Sequence, residues 1–176
     1  MNFISLDLEM NQPSGRIIQI GAVVCNPLSG DILEEFNRYI LLPAGEQLSE
    51  FITNLTGITD ATLLQAVPLT KAYEDLVQLH TRHNCYRNPI TWGGGDSAVL
   101  RTQLGLDDEK FLFGRRWWDM KTVFQMYCLK HDIKLQAGLA KALTRVGLQF
   151  NGRKHDGLAD AKNTARMAHF LLRAMS

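Results

Sequence analysis

Two acidic residues near the amino terminus, Asp7 and Glu9, have the spacing of a metal-binding pair. The segment FISLDLE alternates residue character and predicts a β-strand, on which residues two apart project from the same face. Carboxylates held side by side in a sheet lose solvation and repel each other, and a divalent cation can offset both effects. Mg²⁺ and Mn²⁺ prefer such oxygen ligands. The alternative is two solvated carboxylates on an exposed edge strand.

A third acidic residue, Asp96, follows the predicted strand ITW and the glycines at 93–95. Glycines at this point allow a substrate backbone or a metal-bound water to approach closely. Asp96 also stands at the start of a helix predicted over DSAVLRTQLG. Its alternative role is therefore that of a helix cap.

The segment HDGLADAKN supplies a histidine, His155, and a fourth carboxylate, Asp160. His155 lies on a glycine-containing loop, and Asp160 falls in the first turns of a helix predicted from about Leu158 to Leu172. A histidine can take a proton from water near neutral pH. The alternatives are a surface role for His155 and, for Asp160, a first-turn acid favoured by the helix dipole.

These residues must be positioned by a mixed α/β fold. Strands are predicted over FISLDLE, RIIQIGAVVCN, ILEEFNRYILLP as far as Pro43, ITW and WWDM. Helices are predicted over LSEFITNL, TDATLLQAV and LTKAYEDLVQLHTRH, with Ser49, Thr59 and Thr70 as caps, and later over DSAVLRTQLG, TVFQMYCLKH, LAKALTRV and the final segment. No repeat or long linker divides the chain, which predicts a single domain over residues 1–176.

The composition indicates a globular protein without a strong overall field. The 19 basic and 18 acidic residues leave a net charge of +1, so binding to a polyanion would depend on local patches. The chain has no apolar run of membrane-spanning length and no secretory signal at its amino terminus, which predicts a cytoplasmic protein without membrane contact. Cys25, Cys85 and Cys128 lack paired spacing and are expected to be reduced thiols.

The segments Asp7–Glu9, Trp92–Asp96 and His155–Asn163 resemble, in order and separation, the motifs of the DEDDh group of 3′–5′ exonucleases. This DnaQ-like group has a ribonuclease-H-like fold, so the resemblance implies a mixed five-stranded sheet flanked by helices. Leu55–Thr59 and Gly152–His155 resemble the subgroup that trims RNA ends in histone-message and RNA-interference pathways.

The resemblance implies a role for each acidic residue. Asp7, Glu9 and Asp160 would bind one metal, Asp7 would contact a second, and Asp96 would act partly through coordinated water. His155 would be the general base. The cofactors would be two Mg²⁺ ions, for which Mn²⁺ can substitute, and the partner a nucleic acid with a free 3′ end, cut to nucleoside 5′-monophosphates. A homo-oligomer is left open.

A substrate pocket is also implied by the resemblance. It would be formed by Met10, Asn11, Leu55, Thr56, Gly57, Ile58, Trp92 and Arg153. Ordinary core and turn packing is the alternative for these positions. Further candidates to contact phosphates or bases are Arg101, Arg115, Arg116, Lys154, Trp117 and Trp118, for which solvated or core positions are the favoured interpretation.

Met10 departs from the family pattern, in which a threonine or another small residue is frequent, and the second motif is rich in glycine. These departures leave the choice between RNA and DNA, and between single and double strands, open. Two other classes of function compete with the exonuclease. A catalytically silent module that binds nucleic-acid ends would be expected to have lost a carboxylate, and a metal-free scaffold would leave converging acids without counter-charge.

Overall fold

The computed structural model describes residues 1–175, which build one sheet with helices on both faces. The strands are β1 (Phe3–Met10), β2 (Ile17–Asn26), β3 (Asp31–Tyr39), β4 (Ile90–Thr91) and β5 (Trp118–Asp119). Their order across the sheet is β3-β2-β1-β4-β5. The first three strands pair antiparallel, whereas β1, β4 and β5 run parallel. The predicted mixed five-stranded sheet is therefore confirmed.

Seven helices are formed by the described residues. They are α1 (Glu50–Thr56), α2 (Asp60–Leu63), α3 (Leu69–Arg82), α4 (Asp96–Leu104), α5 (Met120–Lys130), α6 (Leu139–Arg145) and α7 (Gly157–Ala174). None of these helices combines the length and apolar character needed to cross a bilayer.

The central strands β1 and β2 separate two apolar cores. Ile4, Leu6 and Leu8 of β1 pack with residues of α3 and α4 in the first core. Phe3 and Val23 belong to the second core, which α5, α6 and α7 complete. The alternation of side chains along a strand therefore turns the odd positions of β1, including Asp7 and Glu9, toward the side that α7 covers.

Two of the three predicted helix caps are confirmed, and one is wrong. The Ser49 hydroxyl accepts a hydrogen bond from the Ile52 amide (3.2 Å), and the Thr59 hydroxyl accepts one from the Thr62 amide (3.3 Å). Thr70 lies inside α3, which begins one residue earlier and is preceded by Pro68. The N-cap position is therefore Pro68, whose side chain has no oxygen to accept a hydrogen bond, and α3 begins without a side-chain cap.

The third strand is shorter than expected, because β3 ends at Tyr39 and not at Pro43. The last register pair of the β2–β3 ladder is Gln19–Tyr39, and one further hydrogen bond, from the Ile40 amide to the Ile18 carbonyl (2.9 Å), follows it. Ile40 instead forms an isolated parallel bridge with Val67. The three cysteines are buried free thiols, as expected.

Candidate active site

The carboxyl-terminal half of β1 lines a cleft of about 590 Å³. Asp7 and Glu9 form part of its lining, and Asp160 and His155 join them from α7 and the loop before it. Asp96 starts α4 outside this lining, yet its negative charge acts on Asp7. The structure therefore brings together acidic side chains from three separate stretches of chain.

A close contact between two glycines lets α7 begin directly against the sheet. A Cβ added to Gly21 would lie 2.0 Å from the carbonyl carbon of Gly157, a distance that no side chain can occupy. Gly21 is the register partner of Asp7 in the β1–β2 ladder. Because both positions are glycine, the first turn of α7, which carries Asp160, can lie beside the face of β1 that carries Asp7 and Glu9.

A buried glutamine fixes the same helix end from β2. The Gly157 amide donates to Oε1 of Gln19 (3.0 Å), and Nε2 of Gln19 donates to Asp156 (3.2 Å) and to Asn37 (3.0 Å). Gln19 is fully buried, and Asp156 is the N-cap of α7, accepting from the Ala159 amide (2.9 Å). Since a buried amide left without partners is costly, this network locks the helix to the strand.

Sequence reasoning did not find this network. A single polar residue within the apolar run IIQIGAVV was the available signal for Gln19, and an acid directly before a glycine and a helix was the signal for Asp156. Neither signal indicates that the two residues meet.

The loop before α7 turns His155 toward the carboxylates. His155 has φ +60, in the left-handed region, and its amide donates to Oδ2 of Asp160 (3.0 Å). One ligand atom each of Glu9, His155 and Asp160 lies within 4.8 Å of the others. Two carboxylate oxygens and an imidazole nitrogen at this spacing suit a divalent cation and its bound water.

The glycine loop of the second motif has the open surroundings that the sequence indicates. Gly93 and Gly95 adopt φ values of +95 and +125, which other residues rarely adopt, and a Cβ at either would meet nothing within 4 Å. The Gly93 amide donates to Oδ1 of Asp119 (2.8 Å), which also caps α5. The loop is thereby tied to α5 while its outer side stays accessible next to Asp96.

Burial raises the pKa of all four acidic residues, and the charges of the other acids add to this effect at Asp7 and Glu9. Burial, followed by the charges of Asp96 and Asp160, holds the pKa of Asp7 well above its usual range. Burial and then the charge of Asp160 raise the pKa of Glu9 to about 8. Burial raises the pKa of Asp96 and of Asp160 to about 6, although the amide and ring of His155 act in the opposite direction on Asp160.

None of these four carboxylates forms a salt bridge with any residue in 1–175. Positive charge is nevertheless present on the cleft lining, where Lys121, Lys141 and Lys154 surround the acidic wall together with Trp92 and Phe150. An acidic centre without a paired base is electrostatically unfavourable and is compensated when a cation binds. The donor set therefore fits a divalent metal, and the lysines can face an anionic ligand.

Lys121, Lys141 and Phe150 were not among the predicted site residues. They come from α5, α6 and the loop before α7, so only tertiary packing places them at the cleft. Of the predicted substrate contacts, Trp92 does line the cleft, where its ring packs against Phe124 at 5.8 Å between centroids.

The other predicted substrate residues near β1 are engaged within the protein. The buried side chain of Asn11 donates to Glu46 (2.9 Å) and to the Gln47 carbonyl (3.0 Å), and it accepts from the Ser49 amide (3.0 Å). Met10 is half-buried against the first core.

The segment after α1 is likewise packed. Thr56 and Ile58 are buried, Leu55 is half-buried, and Gly57 ends α1 in the left-handed conformation. Arg153 donates to the Asn54 carbonyl (2.9 Å) and lies so close over Gly57 that a Cβ there would meet the guanidinium at 2.2 Å. Arg153 therefore ties the loop that carries His155 to the end of α1.

The remaining basic and aromatic candidates lie away from the cleft lining. Arg101 and Arg115 both pair with Asp108. Trp117 is partly buried against the first core, whereas Trp118 is 41% exposed and packs edge-on against Phe3.

A mixed sheet whose first strand carries two carboxylates beside a third on the last helix defines a ribonuclease-H-like nuclease fold. The Exonuclease family model of the RNase T type matches residues 4–168, and the chain therefore belongs to that family. Within this family, the motifs of the chain resemble those of the DEDDh type.

The chain is similar to ERI1 exoribonuclease 2 of Mus musculus, with 29% identity over 183 residues, covering 91% of this chain and 26% of that protein. It thus spans about a quarter of the length of this relative. The nuclease domain of 3′hExo, a DEDDh family member bound to rAMP, has the same fold, with TM-score 0.83, 22% identity and coverage of 98% of this chain and 92% of that one. S. pombe Pop2p in its Mg²⁺- and Mn²⁺-bound form is more distant, with TM-score 0.69, 18% identity and coverage of 96% and 82%.

Proposed function

We propose that this chain is a 3′–5′ exonuclease that hydrolyses terminal phosphodiester bonds of RNA or DNA and releases nucleoside 5′-monophosphates. The observation that carries the proposal is the meeting of Glu9, His155 and Asp160 within 4.8 Å, on a cleft that Asp7 also lines. A metal-dependent hydrolase for a charged diester needs metal ligands and a proton acceptor at one place, and this cleft has residues suited to both roles.

The relatives support the same chemistry. A similar chain is named an exoribonuclease, and a structure of the same fold holds rAMP, a nucleoside monophosphate. A cleft of about 590 Å³ is of a size to take a single terminal nucleotide. Single-stranded or frayed ends are therefore the proposed substrate.

Asp7, Glu9 and Asp160 would hold one divalent cation, Asp7 would share a second, and Asp96 would contribute partly through water. Mg²⁺ is the proposed physiological ion and Mn²⁺ its substitute, since both favour carboxylate oxygens, and a relative of the same fold binds both. Bound cations of this kind neutralise phosphate charge and favour deprotonation of water. The raised pKa values mean that the charged forms of the four acids are unfavourable without a cation. Bound cations would stabilise those charged forms.

The protein itself would orient the reacting groups. His155 is exposed at the cleft and is the proposed general base, with its backbone held by the hydrogen bond to Asp160. Lys154 and Lys141 would face the phosphate, and Trp92 and Phe150 offer ring faces to the terminal base.

The predicted substrate residues that are engaged internally would act by shaping the cleft wall. We assign this supporting role to Asn11, Thr56, Gly57, Ile58 and Arg153, whose contacts connect β1, α1 and the His155 loop. Met10 and Leu55 are only half-buried. We therefore propose that these two residues contact the nucleotide directly.

The test is digestion of matched single-stranded RNA and DNA labelled at the 5′ end, in Mg²⁺ and in Mn²⁺. The wild type is expected to shorten the strand in single-nucleotide steps and to release 5′-monophosphates, and Asp7→Asn is expected to abolish turnover. Asp132→Asn makes the same chemical change at an exposed position whose left-handed φ asparagine tolerates, and it should behave as wild type. Release of the labelled 5′ nucleotide first, or equal activity in Asp7→Asn, would contradict the proposal. Oligonucleotide binding by the wild type without turnover in either metal would support a silent end-binding module.

A further inference from the structure

A second, basic pocket of about 540 Å³ lies at the end of β4 opposite to the catalytic cleft. Its lining consists of Tyr86, Arg87, Asn88, Gly114, Arg115 and Arg116. This lining contains three arginines and no acidic residue, in a protein whose net charge is only +1. The arginine pocket is therefore a local concentration of positive charge.

The arginine pocket is connected to the catalytic cleft by two short stretches of chain. Asn88 lies in the pocket and Trp92 in the cleft, four residues further along the extended chain through β4. At roughly 3.3 Å per residue this separation is about 13 Å. On the neighbouring strand, Arg116 lines the pocket and Lys121 lines the cleft. Basic residues thus occur at both ends of the β4–β5 edge.

The groups of the pocket are held in place for an anionic ligand. Nε of Arg87 donates to the Leu112 carbonyl (3.0 Å), which leaves the terminal nitrogens of its guanidinium available. Asp108 neutralises Arg115, whereas Arg116 is exposed and forms no ion pair with any residue in 1–175. Two of the three arginines can therefore donate hydrogen bonds to phosphate oxygens without first losing a carboxylate partner.

Tyr86 lines the pocket beside these arginines, and Trp118 lies next to Tyr86. Tyr86 is 38% exposed and Trp118 is 41% exposed, and their ring centroids are 5.9 Å apart. Proteins that bind single-stranded nucleic acids combine exposed aromatic rings with arginines, because every base has a face that can stack on a ring. A protein partner with an acidic surface would use the charge but would not require the rings.

We propose that the arginine pocket binds the backbone of the substrate strand upstream of its 3′ end, with Tyr86 and Trp118 contacting the bases. The inference rests on the proposed exonuclease function, because it takes the 3′ end to lie in the catalytic cleft. A stacked strand advances about 3.4 Å per nucleotide, so a gap of about 13 Å corresponds to about four nucleotides. Strands of about six or more nucleotides can occupy both sites, and shorter ones only the cleft.

The test measures binding of fluorescent single strands of four and twelve nucleotides by anisotropy in EDTA, over a range of salt concentrations. Arg87→Ala/Arg116→Ala is compared with Lys130→Ala/Arg173→Ala, which removes two exposed charges outside both linings. The pocket variant is expected to bind the longer strand about fivefold or more weakly, with the salt slope reduced by about 0.7 for each lost phosphate contact, and to bind the short strand as wild type does. Thermal melts and the single variant Arg116→Ala, which loses no hydrogen bond seen in residues 1–175, guard against a folding defect.

Equal affinity of the two double variants for the longer strand would overturn the proposal. An equal loss for both strand lengths would overturn it as well, because the pocket would then not be an upstream site. Tighter binding of an acidic peptide than of the longer strand would indicate a protein partner instead. Because EDTA removes catalysis from the measurement, a protein that proved inactive as a nuclease would still give a decisive binding result.

Discussion

The side chain of His155 is exposed, whereas its backbone is held by a hydrogen bond to Asp160. Replacing its ring should therefore affect the chemistry of the site more than the stability of the fold. Its ring lies near the oxygens of Glu9 and Asp160, while its amide is bonded to Asp160. Two roles are compatible with this placement: an imidazole that takes a proton from water, and an imidazole that binds the cation directly. The two roles predict different effects of removing the ring.

We expect His155→Ala to lower kcat by about 100-fold or more, the scale on which general-base catalysis contributes, and to leave the affinity for Mn²⁺ unchanged. The measurements are single-turnover digestion and calorimetric titration with Mn²⁺. His131→Ala, at an exposed histidine that packs on Tyr127 away from the cleft, is the matched control. A loss of Mn²⁺ affinity in His155→Ala comparable to that in Asp7→Ala would assign His155 to the metal ligands instead.

The sequence identified catalytic candidates more completely than substrate contacts, and the reason lies in how each group is placed. Asp7 and Glu9 lie two residues apart on one strand, and His155 and Asp160 are separated by the first turn of α7, so local spacing determines most of their geometry. Lys141 reaches the cleft from α6, a placement that depends on tertiary packing alone. No local pattern could have indicated it.

At the scale of elements, the function depends on how tightly α7 is held against β2. A Cβ on Gly21 would collide with the backbone of Gly157, and Gln19 accepts a hydrogen bond from the first amide of the helix. The sequence predicted both elements from their periodicity, with boundaries close to those observed. It could not predict their contact, because neither strand nor helix patterns specify which glycine faces which.

Gly21→Ala is expected to destabilise the protein by about 1–3 kcal/mol, the usual range for overpacking a tight contact, and to reduce turnover by displacing Asp160 from Glu9. Thermal melting and the digestion assay measure the two effects. Gly94→Ala, where a Cβ would meet nothing within 4 Å, is the control for stability. Wild-type melting temperature and activity in Gly21→Ala would contradict the prediction. This result would mean that α7 can shift away from β2 without moving Asp160 out of the site.

At the scale of the whole molecule, the acidic cluster reduces the stability of the metal-free protein at neutral pH. The pKa of Glu9 is about 8 and those of Asp96 and Asp160 are about 6 in the folded chain, above the values of roughly 4 in an unfolded chain. Between these limits the folded state binds more protons than the unfolded state. The free energy of unfolding therefore decreases as pH rises through that window.

Other titrating groups act differently and must be separated from the cluster. The pKa values of three other acids, Glu34, Glu46 and Asp75, are lowered in the folded protein. These groups stabilise the fold at pH values above their unfolded pKa, and this stabilisation is lost only below about pH 4. Burial lowers the pKa of His80, so its contribution to stability increases as pH rises toward its unfolded value of about 6.5. Asp7→Asn changes the cluster and leaves these groups in place, so the difference between variant and wild type isolates the cluster.

In EDTA, we expect the melting temperature of the wild type to fall relative to that of Asp7→Asn between about pH 5 and pH 8. Asparagine keeps the shape of Asp7 but cannot ionise, so the variant lacks the cost of burying a carboxyl group that ionises freely on unfolding, and it should be the more stable protein at pH 8. Mg²⁺ or Mn²⁺ should reverse the difference, because the cations bind the ionised carboxylates and their stabilising effect should increase with pH in the wild type. Parallel melting curves for the two proteins at every pH, with or without metal, would mean that the four carboxylates neither repel each other nor share a cation.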